Sequence, residues 1–354
     1  MSRFFSKKYD ALTPYTPGEQ PRERKYVKLN TNESPFPPSP YAMRMAREEA
    51  GDLQLYSDPT VKALTSMATE KLGIESDRIL FTNGSDEILN FAFMAFCDAD
   101  HPAVFPDVTY GFYPVYAALN GIPYEEIPLR EDFTIDVSRY LNVGKTVFIA
   151  NPNAPTGIAL PLSSIEEIVR SNPMNVVVID EAYVDFGAES ALKLTEQYGN
   201  LLVIQTFSKS RSLAGARLGF GVGSRDLIRD LNTIKYSTNP YNVNRMTMAA
   251  GIGALYDTEY FEKCRKAIME TREYTVGKLV EMGFTVLPSK ANFLFIRSEK
   301  TGGKALYEEL KARGVLVRHF EKSRLKDWNR VTVGSREEMD CFLKNVREIE
   351  GGTE

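Results

Sequence analysis

Histidine and cysteine are scarce in this chain: two of one and three of the other in 354 residues. Cys97, Cys264 and Cys341 lie far apart, no Cys-x-x-Cys occurs, and the histidines are His101 and His319. Neither a zinc cluster nor a disulfide framework can be built from that set. Long hydrophobic runs are missing too, and none approaches the ~20 residues that cross a bilayer. The start, Met1 to Lys8, has no apolar core of the kind a signal peptide needs, so a cytoplasmic protein is expected. A basic stripe is also absent. Lys and Arg number 43 against 47 Asp and Glu, for a net charge of −4. The one basic cluster, Arg22, Arg24, Lys25 and Lys28, is interrupted by Glu23. A nucleic-acid partner is not expected from such a pattern, and no repeat or low-complexity segment stands out.

What is present is ordinary globular material. Hydrophobic residues make up 43% of the chain, and its length suffices for one large core or two moderate ones. Residues 1–30, with Pro14, Pro17, Gly18 and Pro21, read as an arm. Apolar, β-branched runs then alternate with helical patterns from about residue 60 to 235. Ile79–Thr82, Ala103–Phe105, Tyr124–Ile127, Thr146–Ala150, Val176–Asp180 and Leu201–Ile204 read as strands, most of them covered on both faces. Ser85 is read as the cap of the helix after the first of these, and Thr60 as the cap of an earlier one. A long helical stretch from about Arg245 to Met282 follows, and after it short strands and two helices. The expected fold class is α/β: a large domain with a mainly parallel sheet, plus a smaller α+β domain. The expected division is 1–30 arm, 31–55 contributing to the small domain, 56–245 large domain, 246–282 linking helix, and 283–354 small domain.

The strand ends carry the chemistry, because ligands of parallel sheets sit at that edge. Lys209 follows the strand Leu201–Ile204, with Ser208 beside it and Arg217 eight positions on. An amine condenses with an aldehyde, and a guanidinium grips a phosphate. Asp180 ends an all-apolar strand, where an acid is costly unless it meets a cation or a donor, and Tyr183 lies three residues on. Gly84, Ser85, Asp86 and Glu87 open a helix whose first N–H groups suit a phosphate. Tyr110 could stack on a flat heterocycle. Each of these alone also fits an ordinary structural role. Together they supply a partner for every functional group of pyridoxal phosphate.

These residues resemble the fold-type-I, pyridoxal-phosphate-dependent aminotransferases, in their class II group, over the whole chain. The further residues that carry the resemblance are Leu12–Tyr15, Leu29–Glu33, Tyr56, Asn151–Gly157, Leu213–Gly215 and Arg330–Gly334. The resemblance implies that Lys209 holds the cofactor covalently, Asp180 pairs with its ring nitrogen, and Tyr183 binds its ring oxygen. It implies that Tyr110 stacks on the ring, and that Ser85, Asp86, Ser208 and Arg217 hold the phosphate. Tyr56 would reach the phosphate in a neighbouring subunit, which implies a homodimer with shared sites. Tyr15, Asn32, Arg318 and Arg330 would bind substrate, and no metal is implied. The implied reaction is transamination of L-histidinol phosphate with 2-oxoglutarate. An aromatic amino-acid aminotransferase or an amino-acid-phosphate decarboxylase on the same scaffold is the alternative. One position departs from the family pattern. Ala154 stands where an Asn usually precedes the Pro-Thr-Gly, and Asn153 lies one residue earlier. Either Asn153 takes that role through a shifted loop or Tyr183 acts alone.

Overall fold

The computed structural model describes residues 2–10 and 12–351. Met1, Ala11 and residues 352–354, which the arm and the last segment include by sequence, lie outside the described residues. After the arm comes a two-residue strand, β1 (Val27–Lys28), then helices α1 (Pro40–Glu49) and α2 (Lys62–Leu72).

The large domain is built on β2 (Ile79–Thr82), α3 (Ser85–Phe96), β3 (Ala103–Pro106), α4 (Tyr113–Asn120), β4 (Tyr124–Ile127) and β5 (Thr146–Ala150). It continues with α5 (Leu162–Ser171), β6 (Val177–Asp180), β7 (Leu201–Thr206), β8 (Gly219–Val222) and α6 (Arg225–Thr238). Its seven strands lie in the order β2-β8-β7-β6-β5-β3-β4. β4, β3, β5, β6 and β7 run parallel, and β8 runs antiparallel to both its neighbours. Side chains alternate across this sheet with period two. Phe148, Val178, Leu202 and Ile204 pack on one face with α3, where Phe93 stacks on Phe148 at 4.0 Å. Val147, Ile149, Val177, Ile179 and Val203 pack on the other face with α5. Burial of both faces is what the near-continuous apolar runs required.

Helices α7 (Arg245–Tyr256) and α8 (Thr258–Glu281) follow. The stretch read as one helical run is therefore two helices. Asp257 leaves the helical conformation (ψ 67°), and its carboxylate accepts the Tyr260 N–H at 3.3 Å, starting a new helix. α8 is about 36 Å long at 1.5 Å per residue and leads into the small domain. There the strands are β9 (Thr285–Val286), β10 (Phe293–Arg297), β11 (Val315–Leu316), β12 (Arg318–His319) and β13 (Asn329–Thr332), with helices α9 (Gly303–Ala312) and α10 (Arg336–Ile349). Four of them form an antiparallel sheet in the order β12-β13-β10-β9. β11 pairs instead with β1, in parallel. The end of the arm thus becomes part of the small domain, and Leu29 continues the thread by donating to Leu316 O at 2.8 Å. The segment 31–55 is shared. Asn32 donates its N–H to Thr332 of β13 at 2.9 Å, while α1 lies on α7, where a side chain at Gly253 would run into the Ala42 backbone nitrogen at 2.6 Å.

Candidate active site

Three parallel strands, β5, β6 and β7, deliver Ala150, Asp180 and Thr206 to one edge of the large sheet. A recess of about 530 Å³ lies there, bordered by Ser85, Asp86, Tyr110, Ala154, Asp180, Tyr183, Ser208, Lys209 and Arg217. It joins a larger, open recess of about 2020 Å³ through Tyr110, Ala154, Tyr183 and Lys209. Tyr15, Asn32, Arg318 and Arg330 border that outer space.

Asp180 is buried, and the loss of solvent pushes its carboxyl up to about 7. One oxygen accepts the Ala182 N–H and the other the Tyr113 hydroxyl, both at 3.2 Å. Among the described residues no cation pairs with it, since Arg217 pairs with Asp86 at 3.0 Å. Lys209 faces it across the recess. Desolvation, with the nearby charge of Arg330, brings its amine down to about 8. Its nitrogen lies 5.8 Å from the Tyr183 ring centre and 3.5 Å from Thr31 O.

The loop that presents Lys209 is tightly wound. Ser212 and Arg217 both take left-handed backbone conformations (φ 57°), a cost that non-glycine residues meet mostly where the surrounding structure enforces it. Arg217 returns to the start of that loop, donating to Ser208 Oγ at 3.4 Å. Its guanidinium packs so close to Gly84 that a Cβ there would lie 2.5 Å from it. Gly219 passes under the Ser85 amide with no room for a side chain. α3 starts at Ser85, and its N-cap is Gly84 with no side-chain cap. The expected Ser85 cap is therefore not made: Ser85 is the first helical residue and borders the recess, and no side chain caps the helix start. Thr60 likewise caps nothing. Asp58 takes both its N–H and that of Lys62.

Tyr110 precedes α4 and donates to Asp86 at 2.6 Å. Burial, with Asp86 alongside, pushes its hydroxyl well above the usual range. The recess thus offers an amine lowered towards neutrality, a buried acid with no cation, an aromatic face, and an uncapped helix N-terminus beside a guanidinium. That donor set fits a flat, phosphorylated heterocycle bearing an aldehyde and a basic nitrogen, as in pyridoxal phosphate.

The outer wall is arm and small domain. Tyr15 stacks on Phe112 at 4.2 Å. Arg318 donates to Thr16 O at 3.0 Å and Pro17 O at 3.2 Å, tying the arm down. Arg330 donates to Asn30 O at 3.1 Å, and its buried Nε has no partner. Asn32 donates to the Tyr183 hydroxyl at 3.0 Å.

Two of the expected residues are not brought to the recess of their own chain. Asn153 is buried behind it. Its Nδ2 donates to Val108 O (3.0 Å) and Thr156 Oγ1 (3.2 Å), and its Oδ1 accepts from Thr109 (2.9 Å), so its amide is committed elsewhere. Ala154, not Asn153, borders the space. Tyr56 is 80% exposed and stacks on Tyr241 at 4.7 Å, outside the cavity. Sequence reasoning also missed Tyr113, which stands three residues after Tyr110 and holds Asp180. The i, i+3 spacing at a helix start was the available signal. Among the described residues no group of His, Cys, Asp and Glu could hold a metal ion, and no helix is long and apolar enough to cross a membrane.

The chain matches the model of class I and II aminotransferases over residues 24–346. It is 50% identical to the histidinol-phosphate aminotransferase of Brachyspira hyodysenteriae, with 99% of each chain covered. It is 47% identical to the enzyme of the same name from Aromatoleum aromaticum, again over 99% of each. Among solved structures it resembles histidinol-phosphate aminotransferase from Sinorhizobium meliloti in complex with pyridoxal-5'-phosphate. That match has a TM-score of 0.89 and 24% identity, and covers 99% of this chain and 98% of that one. With the site geometry and these likenesses together, the chain belongs to the class I and II aminotransferases.

Proposed function

We propose that this chain is a pyridoxal-phosphate-dependent transaminase that takes the amino group of L-histidinol phosphate and passes it to 2-oxoglutarate, a step of histidine biosynthesis. The observation that carries the reading is one recess in which a lysine lowered to about 8 faces a buried, unpaired carboxylate. The bound cofactor supplies an electron sink for the substrate α-carbon. Lys209 anchors it and moves the proton at that carbon, a task suited to an amine close to neutrality. Asp180 holds a proton on the ring nitrogen. Burial raises its carboxyl to about 7, and a protonated ring nitrogen beside it would favour the ionised form. Arg217, Ser208 and the Ser85 and Asp86 amides bind the phosphate, and Tyr110 covers the ring face. Arg330 receives the anionic end of either substrate, because one planar guanidinium serves a phosphate and a carboxylate alike.

The working unit is a homodimer in this reading. Leu53, Leu55, Tyr56 and Tyr241 are exposed, Tyr56 stacks on Tyr241, and Tyr56 would enter the recess of a second copy.

The test is a half-reaction followed by absorbance. Protein loaded with pyridoxal phosphate is mixed in turn with L-histidinol phosphate, L-glutamate and L-phenylalanine. Bleaching of the visible band by the first two and little by the third is expected. Bleaching by phenylalanine alone would move the reading to an aromatic aminotransferase.

A further inference from the structure

Ala154 has no polar side chain and Asn153 points elsewhere, so the polar contact nearest the Tyr183 hydroxyl comes from another part of the chain. It is Asn32, which is buried in a left-handed conformation (φ 55°) that asparagine tolerates better than most residues. Its amide is fixed from the far end of the sequence. The Thr332 hydroxyl accepts the Asn32 N–H at 2.9 Å and spends its single proton on Asn32 Oδ1 at 3.1 Å. Asn292 holds the Asn32 carbonyl at 3.1 Å. With Oδ1 turned to Thr332, Nδ2 is left facing Tyr183 at 3.0 Å.

An amide nitrogen can only donate. The Tyr183 oxygen is therefore the acceptor in this contact, and its own proton must point somewhere else. Among the described residues no acceptor takes that proton, and the phenol borders both recesses. We infer that Asn32 is a positioning residue, whose amide turns the Tyr183 O–H into the cavity as the side-chain donor to the cofactor's ring oxygen that Ala154 cannot be. This gives Asn32 a task other than binding substrate, and it rests on the reading of the inner recess as a cofactor site.

The readout is the pH midpoint of the visible band in the loaded protein. A hydrogen bond donated to the ring oxygen stabilises its negative charge, so the chromophore holds its proton less tightly. Loss of a charge-assisted bond should raise the midpoint by about one to two pH units. The other charged groups that face Tyr183 are Asp180, Asp86, Lys209 and Arg330, and the variants leave them unchanged. Y183F should show the full upward shift. N32G keeps the backbone conformation and should show part of it, about half a unit or more. The double variant should shift no further than Y183F alone, because Asn32 acts through Tyr183.

T332V keeps the Asn32 side chain but removes both the acceptor of its N–H and the donor to its Oδ1, so its amide is free to turn. It should shift the midpoint the same way by less, and it decides the matter if N32G does not fold. A shift from N32G that is equally large in the Y183F background would overturn the inference. So would an unmoved midpoint in N32G with a raised KM for the amino donor, which would make Asn32 a substrate ligand. A wild-type protein with no visible band when loaded would remove the cofactor reading itself. A band whose midpoint none of the Asn32 and Thr332 variants moves would remove only the role given to Asn32.

Discussion

Lys209 and Arg330 face the same space from opposite walls, and the walls are made differently. The inner wall is the edge of one sheet. Asp180 ends one strand and Lys209 follows its parallel neighbour, and their supports come from elements of the same sheet and its helices: Tyr113 for Asp180, Asp86 for Arg217, Thr206 for Ser208. The outer wall is assembled from both ends of the chain. Asn32 meets Thr332, Arg330 meets Asn30, and Arg318 meets Thr16 and Pro17, each across about 300 residues of sequence. Glu19 in the arm accepts from Tyr307 and Lys311 of α9. The first wall comes with the large domain. The second exists only once the arm has joined the small domain. Cofactor binding and substrate binding should therefore be separable by mutation.

The largest expected break is on the outer wall. R330A should lower kcat/KM for the amino donor by about 10²–10³-fold, the range for removing one partner of a desolvated charge pair. Its cofactor dissociation constant, read by fluorescence titration, should stay within a few-fold of wild type. The mirror experiment is R217K, which keeps the charge but loses the planar fork. It should weaken cofactor binding about 10-fold and leave the KM for the donor nearly unchanged. If both constants moved together in either variant, the walls would not be separable.

A subtler effect belongs to the inner wall without cofactor. The Asp180 carboxyl lies at about 7 in the fold against an ordinary 3.8. A group raised in this way contributes stability below its ordinary value and loses that contribution as pH rises through 7. D180N should therefore melt a few degrees higher than wild type at pH 8 as apoprotein, by about 2–5 °C, and show little difference at pH 4. The smallest effect should come from E19Q, which loosens the arm. A two- to five-fold rise in donor KM with an unchanged visible spectrum is expected, on the order of weakening two half-buried contacts to one carboxylate.

The same contrast explains how much was legible in the sequence. The inner wall could be read because Asp180 ends an apolar run and Tyr183, Ser208 and Lys209 follow one, and the α/β pattern places such ends on one edge. Lys209, Asp180, Tyr183, Ser208 and Arg217 all border the recess. What failed there was local geometry. Ser85 starts the helix instead of capping it, and the loop before Pro155 presents Ala154 and hides Asn153. Spacing cannot fix which of two adjacent residues a tight loop turns inward. The outer wall was named through resemblance alone, and its actual bonds were invisible. No local pattern links Asn32 to Thr332, or Val27 to Val315, because those pairs exist only after the ends of the chain meet. The break at Asp257 was missed for the opposite reason: one side chain competing with a helical pattern on both sides of it.

Everything proposed for the inner recess depends on Lys209 carrying the cofactor. Loaded protein would be reduced with borohydride, digested, and the modified peptide located by mass spectrometry. The cofactor is expected on Lys209 alone and absent in K209A, together with a loss of turnover on the order of 10⁴-fold. Label on another lysine, or turnover retained in K209A, would contradict it.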